Sequence, residues 1–432
     1  MYVADSRAST SAHGAARPPA GRRRAAVAPT VVALGTVSLV TDVSSEMVTA
    51  VLPLYLVTGL GLSPLGFGLL DGIYNGFSAL VRLVGGHFAD RGGGRHKWVA
   101  GLGYGISAVC KPLLLTAHAL TPIGFVLAAD RTGKGLRTAP RDALISLSST
   151  PETRGRAFGV HRAMDTAGAL FGPLVAFWIL RATVDGYDAV FTVSFCVAVL
   201  GVLVLVLFVP GGRGGAAPAE PPTVRAALTL LRGRDLRRIT VCALLLGLAT
   251  VSDSFVYLLL QRRLGVPDRW FALLPLGTAA TFLLLAVPLG RLADRVGRWT
   301  VFLAGHGALL LAYLLLLTSW HGTGLPYLVL ALHGAFYAAT DGVLMAAASD
   351  SVPETLRSSG LAVVQTGQAL TRFACSLLFG AAWTMWGDRA ALAGAAGALA
   401  VCAVFARTLC PQGPEGPQGP GGTKETKGTV TA

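Results

Sequence analysis

Three stretches, Val190–Val209, Val301–Leu317 and Ala390–Ala406, run their full length without one charged residue. Coiled as helices at about 1.5 Å per residue, they approach the ~30 Å hydrocarbon thickness of a bilayer. Such stretches must either fill a large soluble core behind a polar shell or sit in lipid. Composition decides between the two. The chain is 53% hydrophobic and 13% charged, about half the charge of an ordinary soluble domain. That is too little to coat a stack of apolar helices with water-facing groups. The sequence reads as an all-α membrane protein.

Against that background one stretch is out of place. Asp130-Arg131-Thr132-Gly133-Lys134-Gly135-Leu136-Arg137-Thr138-Ala139-Pro140-Arg141-Asp142 carries six formal charges between two apolar runs. At ~100° per residue, Asp130, Lys134, Arg137 and Arg141 fall within an arc of roughly 60° on one helix face, with Arg131 and Asp142 on a neighbouring edge. In water this would be a solvated face. In lipid it must be a polar wall turned inward.

Other spans repeat the device. The first, from Ala28 to Leu60, holds Asp42 and Glu46 four residues apart, with Pro53 continuing the same face. The second places Asp71, Asn75, Ser78 and Arg82 along one stripe. Adjacent helices with polar stripes need a shared wet interior, because hydrocarbon satisfies none of these groups. The plainer alternative is salt bridging that only holds helices together. Further along, the fifth span carries His161, Arg162 and Asp165, the seventh Asp253 and Tyr257, the tenth His333, Tyr337 and Asp341, and the eleventh Gln365, Gln368 and Arg372. His306 in the ninth reads as a packed histidine.

The chain also repeats itself. Gly86-His87-Phe88-Ala89-Asp90-Arg91-Gly92-Gly93-Gly94-Arg95 returns about 204 residues later as Gly290-Arg291-Leu292-Ala293-Asp294-Arg295-Val296-Gly297-Arg298. Pro151-Glu152-Thr153-Arg154 is echoed about 202 residues on by Pro353-Glu354-Thr355-Leu356-Arg357. Two echoes at nearly one offset indicate an internal duplication.

Paired G-x-x-x-D-R-x-G loops, each after the second span of its half, resemble the signature of the major facilitator superfamily of transporters. The first copy departs from it, with Gly94 where a second basic residue is usual. The resemblance covers the chain apart from its tails. It implies twelve transmembrane helices in two six-helix halves around a central cavity, working by alternating access. By the same resemblance Gly86, Asp90, Arg91 and Arg95, with Gly290, Asp294, Arg295 and Arg298, form loops that lock the cytoplasmic helix ends in one of two conformations. Arg131-Thr132-Gly133-Lys134-Gly135 resembles the family's R-x-x-Q-G motif, which ties Arg131 to proton coupling. Gly159, Gly168, Gly172 and Pro173 resemble the antiporter motif of drug exporters, as a packing and bending element, although the trailing glycine pair is absent. Peripheral helices of the family are the third, sixth, ninth and twelfth; here those spans are uncharged except for Lys111. Within the superfamily, Thr41–Met47 with Asp130–Asp142 and Gly155–Asp165 resembles a prokaryotic subgroup whose substrate the sequence does not name.

The expected organisation is a basic tail over 1–27, a first half over 28–210, a linker over 211–237, a second half over 238–409 and a tail over 410–432. The basic run Arg22-Arg23-Arg24 before an apolar stretch has the outline of a signal peptide, but Asp42, Glu46 and the missing cleavage site make it an uncleaved first span. With an even number of spans both tails share one side, and that side carries 23 Lys and Arg against five (Arg181, Arg262, Arg263, Arg269 and Arg389) opposite. Both termini are therefore expected in the cytoplasm, in the plasma membrane. The net charge of +14 then reflects topology and lipid contact, not nucleic-acid binding.

No catalytic motif stands out, and the six cysteines lack metal or disulfide spacing. Neither enzyme, metal site nor bound cofactor is expected; the energy source would be a proton gradient. Eight intramembrane cations (Arg82, Lys111, Arg131, Lys134, Arg137, Arg141, Arg162 and Arg372) face eight acids (Asp42, Glu46, Asp71, Asp130, Asp142, Asp165, Asp253 and Asp341). The reading is a monomeric, proton-coupled exporter of a small organic molecule, with Asp42, Glu46, Asp71 or Asp165 taking the proton in a common chamber. Uptake of an organic anion along Lys134, Arg137 and Arg141, divalent-metal movement through Asp42 and Glu46, and a non-transporting receptor are the alternatives.

Overall fold

The computed structural model describes residues 28–91, 96–150, 153–184, 186–211, 229–320, 322–352 and 357–409. Both expected tails and most of the linker lie outside them, as does Arg95.

The first half contains α1 (Pro29–Leu54), α2 (Pro64–Arg91), α3 (His96–Thr116), α4 (Leu120–Leu147), α5 (Arg154–Ala182) and α6 (Gly186–Phe208). Pro29 opens α1 at its first turn, where a missing N–H costs nothing. Pro53 interrupts the hydrogen-bond ladder near its far end, and the chain relaxes there into a π turn over Tyr55–Gly59. In the second half come α7 (Arg234–Leu248), α8 (Asp253–Leu264), the single turn α9 (Asp268–Phe271), α10 (Leu274–Val296), α11 (Arg298–Leu317), α12 (Leu325–Asp350), α13 (Arg357–Trp386) and α14 (Asp388–Leu409). Taking α7 with α8, and α9 with α10, as single spans gives twelve. Nine of these stretches are long and apolar enough to cross a membrane.

The seventh span is broken into two helices. Between α7 and α8 the chain leaves the helix after Leu248, and α8 restarts on Asp253 behind Ser252 as its N-cap. Two groups freed by the break find partners: the Val251 N–H donates to the Tyr313 hydroxyl at 2.8 Å, and the Cys375 thiol donates to the Thr250 carbonyl at 3.2 Å.

Small residues set the closest helix approaches. A Cβ on Gly168 would stand 2.4 Å from the Leu39 carbonyl oxygen, and one on Gly172 would stand 2.6 Å from Glu46 Cβ, so α5 lies against α1 with no room between. Pro173 is buried in the same contact. Gly159 behaves differently: nothing lies within 4 Å of a Cβ built there. Its expected packing role is corrected to Gly168 and Gly172 alone. Gly297, last in the second loop motif, has φ +96°, which excludes most side chains and lets α10 turn directly into α11.

The two halves meet at the end of the bundle that carries the α1–α2 connection. There Gly68 and Gly380 bring α2 and α13 into backbone contact, and the Leu65 N–H donates to Thr384 Oγ1 at 3.0 Å. Phe67 packs edge-on against Phe255 at 4.9 Å, and Phe177 meets Trp270 at 5.1 Å. Large apolar side chains such as Phe125, Trp178, Leu207, Leu284 and Val401 point outward. An exterior of that kind is stable in lipid and not in water.

Candidate functional site

A cavity of about 380 Å³ lies between the halves. From the first half it is lined by Glu46 and Thr49 of α1 with Tyr74 and Asn75 of α2. The second half contributes Ser252 and Asp253 at the helix break, Tyr257, Phe271, Thr278 and Phe282, then Tyr337, Asp341 and Arg372. Three carboxylates and one guanidinium thus face a chamber edged by aromatic rings.

Asp253 is the most elaborately held of these acids. Its Oδ1 accepts the Tyr337 hydroxyl at 2.5 Å and stands 3.0 Å from Nε2 of His333. His333 is buried, with its Nδ1 unpartnered among the described residues. Tyr257 donates to Thr278 at 3.0 Å, which fixes another wall. Asp341 and Arg372 also border a smaller void of about 40 Å³ with His306 and Gln368. Gln365, expected on the same face as Arg372, turns its amide to Met345 Sδ at 3.6 Å. His306 packs as expected, its Nδ1 2.9 Å from the Phe302 carbonyl.

Apart from Glu46, the first-half charges among the described residues do not join this chamber, and the expectation of one shared void is revised. They form packed groups stacked along α4, the last two of which meet through the Asp42 and Asp165 carboxylates. Nearest the cavity, Asp130 Oδ2 accepts from Arg131 Nη2 at 2.6 Å, and the Arg131 guanidinium lies 3.7 Å from the Tyr74 ring centroid. Lys111, buried on α3 although that helix was expected to face lipid, shares a void of about 20 Å³ with this pair and donates to the Ser107 carbonyl at 2.9 Å. Further along, Arg137 reaches Asp42 at 3.3 Å and stacks on Tyr104 at 4.5 Å. Lys134 is within electrostatic reach of the same acid. In the last group Ser38 donates to Asp165 at 2.7 Å and receives Arg141 at 3.2 Å, while Arg162 and Arg141 stand 3.5 and 3.6 Å from the Asp165 carboxylate. Arg141 also donates to Asp142 at 3.0 Å. His161 is buried beside this group with Nε2 unpartnered among the described residues.

Asp71 is sealed between α2 and α13. The Ser376 hydroxyl donates to it at 2.6 Å and the Asn75 amide at 3.1 Å, beside a void of about 20 Å³. Asp42 and Glu46, expected as neighbours on one face, part company: Glu46 looks into the cavity and Asp42 is taken by Arg137. Among the described residues no group of three or more His, Cys, Asp or Glu is placed to hold a metal ion.

Tyr74 is the residue the sequence reasoning missed. It borders the main cavity, the Arg131 void and the Asp71 void at once, and its hydroxyl is hydrogen-bonded to Thr49. A tyrosine one position before Asn75 of the polar stripe was the available signal. Ser38 and Ser376 were also missed, as small hydroxyls that read as packing.

Of the loop motifs, the second is described. Arg298 pairs with Asp350 at the end of α12 and stands 4.0 Å from Asp294, while Arg295 is exposed and Gly290 has open space around it. This tethers α10, α11 and α12 at one end of the bundle. In the first copy, Gly86, Asp90 and Arg91 lie on the last turns of α2, but the side chains of Arg82, Asp90 and Arg91 are not among those described.

The chain resembles known proteins over most of its length. A family model described as Major Facilitator Superfamily matches residues 34–319 and 271–432. An MFS-type transporter of Methanocaldococcus jannaschii is 29% identical over 373 residues, covering 84% of this chain and 90% of the relative. A multidrug resistance protein of Photorhabdus laumondii is 29% identical over 186 residues, which is 39% of this chain and 40% of that protein. Among solved structures, a nucleoside transporter superposes with a TM-score of 0.75 at 14% identity, covering 88% of this chain and 99% of that one. A bacterial homologue of the lysosomal transporter Spinster, in an inward-facing state, gives 0.69 at 15% identity, covering 88% and 96%. Helices, cavity and matched family agree: the chain is an integral membrane transporter of the Major Facilitator Superfamily, and not an enzyme.

Proposed function

We propose that this transporter exports a small organic molecule carrying positive charge, in exchange for protons, from a plasma-membrane position with both termini in the cytoplasm. The observation that carries the reading is the charge of the cavity wall: Glu46, Asp253 and Asp341 against Arg372, among Tyr74, Tyr257, Phe271, Phe282 and Tyr337. Carboxylates attract a cation, and aromatic faces add cation–π attraction once water is excluded. The volume of about 380 Å³ suits a small ligand. Similarity to multidrug resistance proteins over part of the chain supports export.

Glu46 and Asp253 are the acids placed to exchange a proton for substrate, since both line the cavity, one from each half. Protonation would remove a charge that binds the cation and that is costly to carry through the bilayer interior. Asp42 and Asp165, engaged by arginines, are assigned instead to holding α1, α4 and α5 together.

One observation favours a second reading, the uptake of an organic anion. Arg372 lines the cavity with no carboxylate within 4.0 Å among the described residues, so it is available to an anionic group. The test uses vesicles of purified protein with an imposed pH gradient and labelled organic cations and anions. Under the proposed function, cations exchange against protons, and both Glu46→Gln and Asp253→Asn cut proton-driven flux at least about a hundredfold, the lower end of the usual loss for a general acid or base. Proton-driven uptake of anions that requires Arg372 would replace that reading with the second. Coupling that survives both amide substitutions would refute the acid assignment.

A further inference from the structure

A second cavity, of about 330 Å³, lies off the central axis at the end of the bundle away from the chain termini. The last turns of α8 supply Leu259, Arg262 and Arg263; Leu316 and Ser319 come from the end of α11 and the residues after it; and α14 opens the wall with Asp388, Arg389 and Leu392. Only five of the chain's basic residues are expected at this end, and three of them converge here. Among the described residues no ion pair within 4.0 Å joins Arg262, Arg263 or Arg389 to a carboxylate. Asp388, the one acid in the wall, accepts the backbone N–H of Arg389 at 2.8 Å. The arginines are positioned nonetheless: Arg262 lies over the Trp383 ring at 5.1 Å, and Arg389 donates to the Leu317 carbonyl at 3.2 Å.

Like charges repel, so three guanidiniums drawn together against a single carboxylate leave an electropositive pocket that an anion would complete. Guanidinium forks match phosphate oxygens in geometry. Depth and floor identify the source of the phosphate. Leu259, Leu316 and Leu392 are buried and apolar, which suits an acyl chain and not a hydrated ion. Trp320 and Trp386 are exposed at the same end, and tryptophans mark the headgroup level of a bilayer. We infer that this pocket binds the phosphate-bearing headgroup of an anionic phospholipid, in the leaflet opposite the chain termini.

The experiment compares the full-length protein in neutral detergent with added phosphatidylglycerol, phosphatidylcholine or inorganic phosphate, read by native mass spectrometry and by thermal unfolding. Phosphatidylglycerol should bind and stabilise in preference to phosphatidylcholine. Arg263→Gln and Arg389→Gln should each weaken that preference roughly fivefold, the factor expected for one basic side chain near a charged headgroup. Arg263→Lys should retain most of it, and Arg269→Gln, at the same end but outside the pocket, should leave it unchanged. The unfolding transition in phosphatidylcholine reports whether each variant is folded. Equal stabilisation by inorganic phosphate would keep the phosphate chemistry and assign it to the soluble anion. If the two lipids do not differ, or if Arg269→Gln weakens the preference as much as the pocket variants do, the site does not exist.

Discussion

At the scale of single residues, Tyr74 separates what the cavity holds from what the first half conceals. One ring face covers the Arg131 guanidinium at 3.7 Å, and the hydroxyl is tied to Thr49 on α1. Removing the ring would merge the main cavity with the voids beside Arg131 and Asp71. Tyr74→Ala should therefore pass protons without substrate, seen as a pH-gradient dissipation in vesicles several times that of the parent protein. Tyr74→Phe keeps the ring and loses only one hydrogen bond, worth about 0.5–1.5 kcal/mol, so it should leak little. If alanine and phenylalanine leak equally, the ring is not the barrier.

Among elements, the α1–α5 contact shows how small residues govern assembly. A leucine at position 172 has nowhere to go, with Glu46 Cβ and the Val43 carbonyl oxygen 2.6 and 2.9 Å from the first added carbon. Gly172→Leu should cost about 1–3 kcal/mol or more, read as a lowered unfolding midpoint in detergent, whereas Gly159→Leu should fall within about 0.5 kcal/mol of the parent. Both glycines look alike in the sequence, and only the partner helix tells them apart. The same limit explains what was and was not legible. Helix number, loop duplication and inward polar faces follow from hydrophobicity and spacing, which are local. The stripe on α4 was read as one site because angle around a helix is visible in a sequence. Level along it is equally fixed, and Asp130 and Arg141 lie about 16 Å apart at 1.5 Å per residue. They cannot serve one chamber from opposite ends of that distance, so each level recruits its own partner. Ser252-Asp253 ahead of an apolar run is a helix-start signal, yet hydrophobicity runs on across it and hides the break.

For the whole molecule, contacts between the halves at the α1–α2 end define a shape closed on that side. On the proposed alternating access the Gly68–Gly380 seam would have to part and re-form; there backbone meets backbone, and the Phe67–Phe255 and Phe177–Trp270 ring contacts and the Asp71–Ser376 hydrogen bond would have to release with it. On the proposed exchange of a cation for a proton, the broken seventh span would give that cycle a direction. Aligned peptide groups place roughly +0.5 of an elementary charge at the start of a helix, and α8 starts beside the cavity on Asp253. While the carboxylate is ionised, it masks that charge and a cation is welcome. Once it takes a proton, the peptide dipole stands uncovered and turns attraction into repulsion. Asp253→Asn should accordingly leave that helix start net positive and sharply weaken equilibrium binding of a cationic substrate; a variant that binds the cation as tightly as the parent would show that the charge at this helix start does not govern binding. One proton would then take that helix start from about −0.5 to about +0.5 of an elementary charge, expelling its passenger instead of merely ceasing to hold it.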